Sequence, residues 1–174
     1  MYVAANMLLS FEEGDPASRR SPDVFIVRGI EKRDRRSFKT WEEAATPCLV
    51  VEVTSKGTWL EDTGTKKALY ESLGVQEYLL FDPLEEYLKP RFQVFGLERR
   101  GYAPRDLALD GSYRSPALGI TFRPTASLLR VARGAAASLA GRVTRPAARA
   151  RRDRPRHGDR RRARQSEPPP TSIP

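Results

Sequence analysis

The chain is almost without cysteine and histidine: its 174 residues hold one of each, Cys48 and His157. A lone cysteine excludes an intramolecular disulfide, and no Cys and His set with metal-ligand spacing exists for a zinc site. Because His157 sits in an arginine-rich stretch near the end, Ser-His-Asp, Cys-His and other histidine-based general-base chemistry is excluded from the rest of the chain. A secretory signal is absent, and so is any apolar run of about 18 residues, which leads us to expect a soluble, cytoplasmic protein with no membrane partner. Lysine is missing from residue 125 onward.

What the chain does have is charge, unevenly placed. The formal net charge is +9, but residues 125–174 carry 13 of the 31 basic residues and only 3 of the 22 acids. The first 124 residues are therefore close to neutral, with 18 bases against 19 acids. The length suits one domain with a proper core, residues 1–124, followed by an Arg, Ala and Pro-rich tail, residues 125–174. From about residue 140 such a composition buries too little apolar surface to offset the entropy of ordering, so it is expected to be disordered and to bind polyanions. A short helix is expected over 128–139. Two origins fit the tail equally: a genuine basic extension, or an out-of-frame reading of a GC-rich gene.

Within the neutral part, strands are expected over 2–11, 23–28, 48–54 and 77–82, with further strands near 91–98, 101–106 and 118–123. The charged stretch 29–46 reads as a loop with at most a short helical turn, and its Glu31 to Arg36 segment as a solvated surface. Thr58 and Glu61 have capping-box spacing and Gly74 supplies a stop, predicting a helix over about 59–73. Strand, helix and strand with short connections make a βαβ crossover, so 48–54 and 77–82 should be parallel neighbours. The fold class is α/β, a mixed sheet with a crossover helix.

Two carboxylates stand out in this frame: Asp23, opening the strand DVFIVR, and Glu52, inside the run CLVVEV. An ionised carboxylate buried in so apolar a run needs a metal, a cation or a raised pKa. Lys66 is the candidate cation, and Asp62, Lys66 and Tyr70 share one helix face at i, i+4, i+8. Asp, Glu and Lys meeting over a sheet edge suit metal-dependent phosphodiester hydrolysis, with Asp23 and Glu52 as ligands of Mg²⁺ or Mn²⁺ and Lys66 beside the attacking water. A plainer reading makes Asp62 and Lys66 a solvated pair worth a few tenths of a kcal/mol. Likewise, Glu52 could be satisfied by backbone donors or an arginine, and Asp23 could be a turn residue.

The words SPDVFIVRG, SFKTWEEA, LVVEVTSKGT, D-x-x-x-K-x-x-x-Y and LGVQEYLLFDP, in that order over residues 2–120, resemble the Uma-type restriction endonuclease family of the PD-(D/E)xK nuclease superfamily. The resemblance implies a restriction-endonuclease-like fold and a Mg²⁺-dependent endonuclease acting on DNA. It makes Asp23 the Asp of "PD", Glu52 the acid of the triplet, and Lys66 a catalytic lysine that has migrated to the helix, since Thr54 occupies the usual lysine position. It also implies that the chain lacks its relatives' N-terminal segment and helix, leaving an apolar sheet face that favours a homodimer. The competing expectation is a catalytically inactive nuclease-fold remnant, or a protein that binds nucleic acid nonspecifically through its tail.

Overall fold

Period-two alternation in two central strands decides the architecture. In Leu49–Val53 (β6) and Glu77–Phe81 (β7), Val50, Tyr78 and Leu80 belong to one buried cluster, while Leu49, Val51, Leu79 and Phe81 belong to a second on the opposite face. A strand with both faces apolar needs cover on both sides, and the chain supplies a helical layer on one and a small sheet on the other. The computed structural model describes residues 1–133.

The central sheet has six strands in the order β1-β4-β6-β7-β8-β9. Here β1 is Tyr2–Ala5, β4 is Val24–Val27, β8 is Phe92–Glu98 and β9 is Gly101–Pro104. As the crossover requires, β6 and β7 are parallel, and the other pairings in this sheet are antiparallel. The expected first strand divides at Asn6, which takes a positive φ of 49°. Beyond it, Leu9–Ser10 (β2) leaves the central sheet to pair with Arg19–Arg20 (β3) and Phe38–Lys39 (β5), followed at once by the short helix Thr40–Glu43 (α1).

The single helix expected over 59–73 is two: Trp59–Thr63 (α2) and Thr65–Ser72 (α3), broken at Gly64. A Cβ on Gly64 would lie 2.9 Å from the Leu60 carbonyl oxygen, so the close turn between the helices requires glycine. The capping box does not form. Thr58 Oγ1 instead accepts from the Ser55 N–H at 3.1 Å, closing the loop that leaves β6.

Tyr113–Arg114 (β10), Ile120–Thr125 (β11) and Leu128–Arg133 (β12) form a three-stranded antiparallel sheet whose Tyr113, Ile120 and Phe122 cover the second face of the central sheet. The helix expected over 128–139 is thus corrected over its described part, because six residue pairs of the β11–β12 ladder hold Leu128–Arg133 extended. Residues 134–174, with the rest of that helix and the expected disorder, lie outside the described residues. The charged segment Glu31 to Arg36 is exposed as expected except at Arg35. The Arg35 side chain is 2% exposed, paired with Glu43 at 2.7 Å and stacked 4.4 Å over the Tyr2 ring.

Candidate active site

The alternation that packs the sheet also aims the acids. Asp23 is two residues before Phe25, and Glu52 is two after Val50; both of those side chains lie in the cluster that includes Tyr70 of α3. Odd-even spacing therefore puts both carboxylates on the helix face. The antiparallel register matches Val24 with Val51, so Asp23 and Glu52 are the next positions outward and face each other across the strand ends.

Reciprocal hydrogen bonds tie them. The Val53 N–H donates to Asp23 Oδ2 at 2.6 Å, and the Asp23 N–H donates to Glu52 Oε2 at 3.4 Å. On the other oxygen, Tyr70 Oη donates to Glu52 Oε1 at 2.8 Å. Lys66 Nζ lies 3.2 Å from Glu52 Oε2 and 2.8 Å from Asp62 Oδ1. Asp62 and Glu52 are each 1% exposed, so the Asp62–Lys66 pair is a buried arrangement and not the solvated i,i+4 pair of the plainer reading. Tyr78 Oη donates to the Asp62 main-chain oxygen at 2.8 Å, anchoring α2 to β7. The structure therefore brings Asp23, Glu52 and Lys66 together and adds Asp62 and Tyr70, whose shared helix face was visible in the spacing.

Burial dominates the electrostatics. Desolvation pushes the Glu52 carboxyl up to about 7, against the pull of the Lys66 ammonium and the Tyr70 hydroxyl. Desolvation works against the Lys66 charge too, but Asp62 and Glu52 outweigh it and hold the ammonium above its usual range. Tyr70 is raised by burial and by Glu52, so it stays a donor. Asp62 Oδ2 is buried with no hydrogen-bond partner among the described residues. Two carboxylates, Glu52 and Asp62, contact the one ammonium and Asp23 lies beside Glu52, so acidic groups outnumber cations at the site.

That surplus fits a divalent cation. Carboxylate oxygens are the hard donors Mg²⁺ or Mn²⁺ prefer, and Mg²⁺ commonly keeps several waters while bound by one or two carboxylates. Among the described residues no group of three or more His, Cys, Asp or Glu side chains is placed to hold a metal ion, and Asp23 and Glu52 are the pair that could share one with water. Two buried acids off the site escaped the sequence reading. Glu77 accepts from Tyr113 Oη at 2.6 Å and from Ser115 Oγ, and Asp82 accepts from the N–H groups of Leu84, Tyr87 and Leu88. Both are satisfied and structural. Only Glu77 had a cue, a charged residue at the head of an apolar strand.

A mixed six-stranded sheet with a helical crossover between parallel β6 and β7, and acids at the adjoining ends of β4 and β6, defines a restriction-endonuclease-like fold of the PD-(D/E)xK type. The chain belongs to the Uma2 family, described as "Putative restriction endonuclease", whose family model matches residues 1–127. Membership places it in a nuclease family. No curated protein matches the chain.

Proposed function

We propose that the protein is a Mg²⁺-dependent endonuclease that hydrolyses phosphodiester bonds of DNA. The observation that carries this reading is the convergence of Lys66 and Asp23 on the buried Glu52. Asp23 and Glu52 would hold the cation, which when bound neutralises the scissile phosphate and polarises it toward attack. Tyr70 and the Asp23 N–H fix the Glu52 carboxylate from both sides, so no reorganisation is needed as charge develops. Asp62 keeps Lys66 protonated and aimed, and the ammonium stabilises charge on the phosphate or orients the water beside it. Water oxygen bonds to phosphorus as the ester P–O bond breaks; the attacking water gives up a proton to solvent, and the departing oxygen takes one up.

The partner class is nucleic acid. No helix among the described residues is long and apolar enough to cross a membrane. Self-association has a surface: an apolar groove of about 580 Å³ lined by Val3, Val53, Leu128 and Val131, each exposed, lies between the central sheet and the β11–β12 hairpin. A homodimer through this face would show as a concentration-dependent mass in sedimentation equilibrium.

The competing reading, an inactive nuclease-fold remnant that binds nucleic acid nonspecifically, rests on the Arg-rich end of the sequence. Closed circular DNA and circular single-stranded RNA, each incubated with the full chain in Mg²⁺ and in EDTA, separate the two. Nicking of the DNA in Mg²⁺ alone supports the endonuclease. Binding without nicking supports the remnant, and preferential RNA cleavage replaces the DNA assignment.

A further inference from the structure

β3 consists of Arg19 and Arg20 and leads within three residues into Asp23. Its register sets Arg20 opposite Leu9, and the parallel pairing of β2 with β5 sets Leu9 beside Phe38. Residues matched across strands project to the same face. Arg20 therefore shares a face with Leu9 and Phe38, both fully buried in the cluster that includes Tyr70. Arg20 itself is exposed, because β3 is a free edge of the three-stranded sheet β3-β2-β5. Arg20 lies three residues before Asp23, near enough to the site for its positive charge to act on the Tyr70 hydroxyl that donates to Glu52.

Several arginines of the described region are held by carboxylates, whereas others away from the site, such as Arg28, are not. Arg33 and Arg35 pair with Glu43, Arg105 with Glu98 and Arg123 with Asp110. Arg20 has no ion pair among the described residues; Nη1 donates to the Arg19 carbonyl at 2.6 Å, leaving most of its N–H donors free. The site behind it holds three carboxylates and one ammonium, a balance that repels a polyanion. A free guanidinium at its lip offsets that repulsion and presents a planar fork matched to phosphate.

We propose that Arg20 is a substrate-binding residue that grips a backbone phosphate flanking the scissile one. It contributes affinity and register and takes no part in bond breaking. This rests on the nuclease reading above.

The test compares the full chain with Arg20→Ala and Arg20→Lys. Steady-state cleavage of a duplex oligonucleotide is measured in Mg²⁺, and binding is measured by fluorescence anisotropy in EDTA over a salt series. Losing one charge-assisted phosphate contact should raise KM about tenfold in Arg20→Ala with kcat held within about twofold. The slope of log K against log salt should shrink by about 1. Arg20→Lys should recover the slope and part of the KM, because it keeps the charge without the fork. Wild-type cleavage with unchanged KM and slope in Arg20→Ala would overturn the assignment alone. A fall in kcat at constant KM would overturn it as well. A wild type that cleaves nothing would overturn the nuclease reading and this one with it.

Discussion

Replacing Lys66 with methionine separates a buried charge cluster from an ordinary helix-surface pair. Lys66 Nζ sits 2.8 Å from Asp62 Oδ1 and 3.2 Å from Glu52 Oε2, with the two acids almost wholly out of solvent. At an effective dielectric of about 20, each contact carries roughly 5–6 kcal/mol of Coulomb attraction, most of it offset by desolvation. Removing only the ammonium strands the buried Asp62 carboxylate and drives Glu52 further toward its protonated form, and breaking a buried pair in this way typically costs about 3–5 kcal/mol. With a urea m-value of about 2 kcal/mol per molar, the Lys66→Met midpoint should fall by roughly 2 M. Adding Glu52→Gln and Asp62→Asn to Lys66→Met should recover much of that loss, because the charges that needed the lysine are gone. A loss below about 0.5 kcal/mol would refute the reasoning, since that is the worth of a solvated i,i+4 pair.

Two further outcomes follow from groups outside the site. Burial acts to raise the Asp82 carboxyl, but the N–H groups of Tyr87, Leu88, Leu84 and Glu85 together hold it below its usual 3.8. Its contribution is therefore present above about pH 4 and lost as pH falls through the lowered folded-state value. Asp82→Ala should cost about 2 kcal/mol or more near neutrality and flatten that acid limb of a stability-against-pH curve measured by chemical denaturation. Deleting residues 134–174 removes 11 arginines while keeping all of β12. The truncated chain should bind DNA more weakly and with a shallower salt dependence in anisotropy titrations, and an unchanged slope would show that this segment makes no phosphate contacts.

The candidate site was legible because its geometry is carried by short-range periodicity. Alternation in DVFIVR and CLVVEV puts Asp23 and Glu52 on one face, and the i, i+4, i+8 spacing of Asp62, Lys66 and Tyr70 gives them one helix stripe. Both signals survive the break at Gly64, because Asp62 on α2 still reaches Lys66 on α3. What misled was local chemistry with two outlets. Thr58 has the residue type and spacing of a cap, yet its hydroxyl bonds back to the Ser55 N–H. Two-residue strands such as β2, β3 and β5 have too few positions to show a period, and Arg35 is buried only because Glu43 and Tyr2 arrive from distant positions. In β12 the expected helix yielded to pairing with β11, a contact no local propensity encodes.

The central claim is that Asp23 and Glu52 form a metal-dependent cleavage site. The most direct measurement is nicking of supercoiled plasmid in Mg²⁺ by wild type, Asp23→Asn and Glu52→Gln at matched concentration, with circular dichroism confirming that all three are folded. The account predicts nicking by wild type, its loss in EDTA, and at least a hundredfold slower cleavage, about 2.7 kcal/mol of barrier, in both variants. Folded Glu52→Gln that nicks as fast as wild type would contradict it.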